Sequence, residues 1–139
     1  MTTIAYRDGV LAADSQVTLG SMRVPGNALK IGKTKAGVLY GGAGSVAACG
    51  QFFDWVNSPD DGELPEGEYS GLVVLPKGEV MEIENGAFLP KMKQKFIAIG
   101  SGAGYALAAM YAGATAQEAV KIATKLDIHS SGPIKTVKF

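Results

Sequence analysis

One cysteine, Cys49, and one histidine, His129, occur in the 139 residues, and thirteen basic residues are balanced by thirteen acidic ones. A single cysteine cannot close an internal disulfide, so a reducing compartment such as the cytoplasm is expected. Set in an apolar helical pattern, Cys49 reads as a small core residue. A single histidine excludes a multi-histidine metal site. A Ser-His-Asp triad would have to use His129, and no nucleophile-elbow pattern accompanies it. Zero formal charge leaves no bulk field to hold nucleic acid or a membrane surface, so neither is expected as a partner. No basic region followed by a long apolar run opens the chain, so no secretory leader is expected. The uncharged stretch at residues 101–117 is Gly- and Ala-rich and too short and weakly apolar to cross a bilayer. Gly32-Lys33-Thr34 resembles the end of a phosphate-binding loop, but the earlier glycine that loop needs would fall at Asn27. Repeats, linkers and a second domain are also lacking, and the length suits a single domain spanning 1–139.

What the chain has in excess is glycine, nineteen residues of it, many beside expected strand ends and helix starts where the backbone must turn or approach another group closely. The pattern predicts strands at 2–6 and 10–14 joined by Asp8-Gly9, a strong hairpin signal. Residues 17–24 read as extended, with a turn at Pro25-Gly26-Asn27, followed by strands at 29–33 and 38–42. That makes five strands before the first helix. The helix is expected over 45–57, capped by Ser45, with Val46, Cys49, Phe52, Phe53 and Val56 at helical spacing. A loop with Pro59, Pro65 and five acidic residues follows. A second hairpin spans 71–76 and 79–84, then a turn at Asn85-Gly86, and a strand at 96–100. Lys91, Lys93 and Lys95 alternate as on one strand face and read as a solvated edge or a docking surface. Two helices come next, at 102–111 and 115–126, the second opened by the capping box Thr115-Ala-Gln-Glu118. Residues 134–139 can return as a strand. Antiparallel hairpins with helices to cover them predict two sheets with helices outside.

The chemistry centres on Thr2. Without Met1, this one residue would carry both a hydroxyl and a free α-amine, a nucleophile with a base beside it. Asp14 ends the strand that folds back along 2–6. Lys30 is either an edge lysine in water or the partner of Asp14 beside Thr2. In the second case its charge lowers the pKa of the Thr2 amine, which ordinarily titrates near ~8. The glycine run 41–44 lies between a strand and a helix. Its N–H groups either serve a tight turn or donate to a developing oxyanion. Gly100-Ser101-Gly102 reads as a helix entry, and Asp127 and Ser130 as capping or solvated residues.

Thr2-Thr3-Ile4, the run Ala13-Asp14-Ser15-Gln16-Val17-Thr18-Leu19-Gly20, Gly26-Asn27 with Lys30, and Ile97 to Gly102 with Tyr105-Ala106 together resemble the threonine peptidases of the proteasome β-subunit and HslV-like family. These segments are spread from residue 2 to residue 106 of the chain. The resemblance implies an N-terminal nucleophile hydrolase of α+β class, an αββα sandwich of two antiparallel sheets, here with one helix missing between the glycine loop and the second hairpin. It implies Thr2 as nucleophile and its amine as base, Asp14 and Lys30 as tuning residues, and the Gly41 N–H as oxyanion donor. Ser101, Asp127 and Ser130 would support the amine and a relayed water. Thr18, Gly42 and Ala43 would pair with the backbone of a polypeptide substrate. No cofactor is required for the chemistry, but a sodium ion on the carbonyls of Leu126, His129 and Gly132 is implied. So are a homo-oligomeric ring and a separate ATPase unfoldase as partner. Two other readings stand beside the peptidase: a catalytically silent, ring-forming scaffold subunit of the same fold, and a small-molecule amidase with a closed pocket.

Overall fold

A computed structural model describes residues 2–24, 27–58, 62–91 and 95–139. The first hairpin joins β1 (Ile4–Arg7) to β2 (Val10–Ala13). Asp8 and Gly9 at its tip have φ of 50° and 80°, the doubly left-handed turn whose twist matches the flanking strands. Every side chain of Ile4–Tyr6 and Leu11–Ala13 is buried, because both faces of this hairpin are covered. Ile4, Tyr6, Leu11 and Ala13 point to one cluster, Ala5 and Ala12 to another, as the two-residue period of a strand dictates.

The strands β10 (Phe96–Ile99) and β11 (Lys135–Lys138) flank that hairpin, in the order β10-β1-β2-β11, all antiparallel. A second antiparallel sheet runs β5 (Ile31–Lys33), β6 (Leu39–Gly44), β7 (Tyr69–Val74), β8 (Val80–Glu84) and β9 (Ala87–Phe88). Between the sheets lies the main core, where Ile4, Tyr6 and Leu11 meet Ile31, Leu39, Leu72 and Val74. On the outer face of the first sheet pack α2 (Ala103–Tyr111) and α3 (Ala116–Leu126). The α3 stripe is Ala116, Ala119, Val120 and Ala123, the i, i+3, i+4, i+7 face of an amphipathic helix. Its small side chains bring the helix close to Ala5 and Ala12. The outer face of the second sheet is covered by α1 (Val46–Asn57). There Phe52 is fully buried beside Tyr69, Val73 and Ile83. Burying such a ring contributes about 2–3 kcal/mol.

The layers are therefore helix, sheet, sheet, helix, with one helix on one side and two on the other among the described residues. The expected helix shortage is placed by this: residues 58 and 62–68, between α1 and β7, contain no helix. The Ser45 cap and the Thr115–Glu118 capping box both form.

Some expectations are corrected. Residues 17–24 are not one extended segment but a separate ribbon, β3 (Val17–Leu19) and β4 (Met22–Val24), so six strands precede α1 among the described residues. Gly20 and Ser21 turn the chain within the stretch read as extended. β9 was not anticipated; the Asn85-Gly86 turn is a hairpin that returns for only two residues. β10 starts at Phe96, so Lys91 and Lys95 lie outside any strand, and Lys91 pairs with Glu79. Lys93, Pro59 and the Pro25-Gly26 turn lie outside the described residues.

Candidate active site

Topology brings distant residues to one end of the first sheet. β1 lies between β10 and β2, both antiparallel to it, so the segments leaving β10 and β2 arrive beside the start of β1, at Thr2 and Thr3. β11 starts opposite the end of β2, so the turn 127–133 that precedes it arrives there as well. Asp14, Ser101 and the pair Asp127 and Ser130 come from three places in the sequence and meet at the two threonines.

On one side stands Asp14, fully buried. Its Oδ1 accepts from the Thr3 N–H and from Lys30 Nζ, both at 2.9 Å. Its Oδ2 accepts from the N–H groups of Gln16 and Ser131, each at 3.1 Å. Three backbone donors and one ammonium thus satisfy the carboxylate, as a buried charge requires. Lys30 lies one residue before β5, not within a strand, and is only 7% exposed. The edge-lysine alternative is removed by this burial. Burial pushes the Lys30 pKa down, and the attraction of Asp14 opposes that only in part.

On the other side, the Thr2 nitrogen donates to Ser101 Oγ at 3.1 Å. Ser101 Oγ lies 2.7 Å from Asp127 Oδ2, and Ser130 Oγ donates to the same oxygen at 2.6 Å. Ser101 is also 3.3 Å from the Thr2 carbonyl, but its single hydrogen goes to the nearer, charged acceptor. Burial pushes the Asp127 carboxyl up. The bonds from Ser130, Ser101 and the His129 N–H together outweigh that, and its pKa lies below the usual 3.8. Asp127 and Ser130 are thus buried members of one network rather than solvated residues. The Gly100-Ser101-Gly102 segment does lead into α2, and it is also pressed against the N-terminal threonines. Gly100 has φ of 95°, and a Cβ there would collide with the Thr2 carbonyl.

A cleft of about 500 Å³ opens over Thr2, with Thr18, Lys30, Gly42, Gly44, Cys49 and Phe53 among its walls. Burial pushes the Cys49 thiol up, with Lys30 pulling against it. The cysteine is therefore a poor nucleophile, in keeping with its reading as a core residue.

No family model matches the sequence, and no curated protein does. Solved structures do. A eukaryotic HslV from Trypanosoma brucei matches with a TM-score of 0.73 and 22% identity, over 99% of this chain and 99% of that one. The chain has the fold of HslV. BPH from Thiobacillus denitrificans, in complex with epoxomicin, matches with a TM-score of 0.73 and 20% identity, covering 99% of this chain and 97% of that one. A further BPH structure gives 0.70 and 20%, over 99% and 96%.

The HslV-like frame clarifies which expected residues lie in the cleft. Thr18 does, and its Oγ1 accepts from Gln16 Nε2 at 3.0 Å. Gly42 does, but its N–H already donates to the Lys30 carbonyl at 3.0 Å. Ala43 turns its side chain into the core between the sheets. Gly41 does not line the cleft; a Cβ there would meet Ile31 and Ile4. Successive N–H groups of a strand point to opposite edges. Since the Gly42 N–H points toward β5, that of Gly41 points toward β7, where it lies opposite Leu72. The expected oxyanion donor is thus turned away from Thr2. Two residues beyond Gly42, the Gly44 N–H points the same way as that of Gly42, past the start of β5 and toward the cleft. Gly44 has φ of 126°, and a Cβ would lie 2.5 Å from the Glu68 carbonyl oxygen, so only glycine fits. Sequence reasoning named Gly44 only as part of the 41–44 run, with Gly41 singled out by the family resemblance, and gave Thr3 no role.

Leu126 ends α3, and His129 and Gly132 lie in the turn that carries Asp127 and Ser130. The hydrogen bonds of that turn engage other carbonyls: Asp127 O takes the Ser130 N–H, Ile128 O takes Gln16 Nε2, Ser131 O takes the Ser15 N–H, and Pro133 O takes Ser15 Oγ. A set of neutral carbonyl oxygens suits a hard cation rather than a transition metal, which fits the sodium expectation chemically. No helix among the described residues is long and apolar enough to cross a membrane.

Proposed function

We propose that the chain is a threonine endopeptidase acting on unfolded polypeptides, with the Thr2 hydroxyl as nucleophile and, once Met1 is removed, the Thr2 α-amine as its base. The observation that carries this reading is the convergence on Thr2 and Thr3 of two hydrogen-bond networks, the buried pair Lys30–Asp14 and the chain from exposed Ser101 to buried Asp127 and Ser130, beside an open cleft. The Lys30 ammonium beside the site disfavours a second positive charge. It therefore keeps the amine a neutral base nearer pH 7. As Oγ1 attacks the scissile carbonyl, its proton passes to the amine, and the carbonyl electrons collect on oxygen, toward the Gly44 N–H. The amine then returns the proton to the leaving nitrogen as the C–N bond breaks. This leaves an ester on Thr2, which a water hydrolyses with the same amine as base. The substrate lies extended between Thr18 and the Gly42–Gly44 segment.

The same reading carries a sodium ion on the carbonyls of Leu126, His129 and Gly132. Its part would be to brace the turn that holds Asp127 and Ser130. It also carries a homo-oligomeric ring, a separate ATPase unfoldase and a cytoplasmic location. Exposed Leu19, Met22, Leu29 and Val46 supply apolar surface for a neighbouring copy. Particle mass in solution tests the ring.

The deciding experiment is intact mass with and without epoxomicin, the ligand of one structural neighbour, alongside turnover of an unfolded protein. Loss of Met1, an adduct mapping to Thr2, activity in Thr2→Ser and none in Thr2→Ala are expected. Full turnover in Thr2→Ala would remove the peptidase reading. Retained Met1 with no turnover would favour the silent scaffold instead.

A further inference from the structure

Thr3 is fully buried, and its hydroxyl lies 2.7 Å from Ser130 Oγ. The direction of that bond follows from its neighbours. Ser130 has one hydrogen, and it is spent on Asp127 Oδ2 at 2.6 Å. Thr3 must then be the donor. The hydrogens run one way, Thr3 to Ser130 to Asp127, and meet there the opposing run from Thr2 N to Ser101 to Asp127. The Thr3 backbone N–H holds Asp14, which holds Lys30. One residue thus joins the two networks. Its hydroxyl is also enclosed: a Cβ on Gly102 would collide with Thr3 Oγ1 and come within 3.2 Å of Asp127 Oδ2.

We propose that Thr3 is a positioning residue for the base, its hydroxyl fixing the polarity of the hydrogen-bond chain that ends on the Thr2 nitrogen. This rests on the threonine-peptidase reading. With Thr3 donating, Ser130 is a stronger donor to Asp127, because bonds in a chain polarise one another. Asp127 then draws less on the Ser101 hydrogen, and Ser101 is a weaker acceptor for the Thr2 amine. Without the Thr3 hydroxyl, Ser101 becomes a better acceptor, which favours the protonated amine and weakens the base. Charged and titratable groups of the two networks and the adjoining cleft include Lys30, Asp14, Asp127, His129 and Cys49. All are unchanged by a substitution at Thr3, so a difference isolates the hydroxyl.

The test compares mature wild type, Thr3→Val, Thr3→Ser and Ser130→Ala in peptide hydrolysis across pH, with Thr2→Ala as the control. Thr3→Val removes only the hydroxyl at constant shape. The acid limb of kcat/KM should move upward by about 0.5 pH unit, the cooperative fraction of one charge-assisted bond. Below the limb this is about a threefold loss. Thr3→Ser should restore the wild-type limb. An unmoved or downward-moved limb in folded Thr3→Val overturns the proposal. If Thr3→Val does not fold, Ser130→Ala must give the same upward shift, and a wild-type limb there overturns it equally. Turnover in Thr2→Ala equal to wild type rejects the peptidase reading itself, a result distinct from either.

Discussion

Replacing Lys30 by methionine keeps most of the buried stem and removes the ammonium 2.9 Å from Asp14. Asp14 is fully buried and would keep three backbone donors, from Thr3, Gln16 and Ser131. Breaking a buried ion pair by removing one partner costs about 3–5 kcal/mol, and the surviving donors place this case at the low end, about 3 kcal/mol. An exposed pair would lose about 0–1 kcal/mol. For a chain of this size the two figures correspond to melting shifts of roughly 12 °C and at most roughly 4 °C. Far-UV circular dichroism melts, with urea midpoints as a check, separate them. Asp14→Asn and the double variant complete a cycle, in which a coupling of at least about 1.5 kcal/mol is expected for groups in one network. A melting shift under about 4 °C, or single effects that add to within about 0.5 kcal/mol, would refute the assignment of Lys30 as the buried partner of Asp14. Measured where the variant is still folded, turnover should fall by about 10²–10⁴-fold, the contribution of a tuned base.

Three further outcomes follow from particular contacts. Asp127 has a folded pKa below its usual 3.8, so its stabilising contribution is complete above that value and is lost as pH falls through the folded pKa. Melting temperatures from pH 7 down to 2 should show Asp127→Asn well below wild type at neutral pH, with the gap closing in acid; a constant gap contradicts the linkage. In Gly44→Ala a Cβ meets the Glu68 carbonyl and the Tyr69 backbone at positive φ, which should cost about 1–3 kcal/mol. The same change should lower kcat more than tenfold with KM less affected, if the Gly44 N–H receives the oxyanion; steady-state kinetics on the folded variant decides, and an unchanged kcat removes that role. Thr115→Ala removes the side-chain half of the α3 capping box, the bond from the Glu118 N–H to Thr115 Oγ1, and should lower the melting temperature by roughly 4 °C, about 1 kcal/mol, with turnover intact.

Several elements were legible because their signals are local. The Asp8-Gly9 turn needs only two residues tolerant of positive φ. The Thr115–Glu118 box needs only a three-residue spacing. The first hairpin was read from the Asp8-Gly9 turn, whereas the burial of both its faces, at Ile4–Tyr6 and Leu11–Ala13, came only with the packed helices and second sheet. The ribbon at 17–24 was misread for the complementary reason: its turn at Gly20 is set by pairing Leu19 with Met22, and apolarity does not mark where a strand reverses.

At the site the division is sharper. Which residues could carry charge and hydroxyl chemistry, among them Thr2, Asp14, Lys30, Ser101, Asp127 and Ser130, was readable from the chain and its family resemblance. Whether Lys30 was buried against Asp14 or solvated at an edge was not, because that depends on β2 and the start of β5 arriving together in space. Nor was the choice of Gly44 over Gly41. Adjacent backbone N–H groups point to opposite edges of a strand, so the donor facing the cleft is decided by register against β5 and β7. The Thr3 hydroxyl gained a partner in the same way, from Ser130, which lies far along the chain. Amino-acid order sets propensities and turns within a few residues. Hydrogen-bond direction and the burial of a charge are settled only when strands remote in sequence pair.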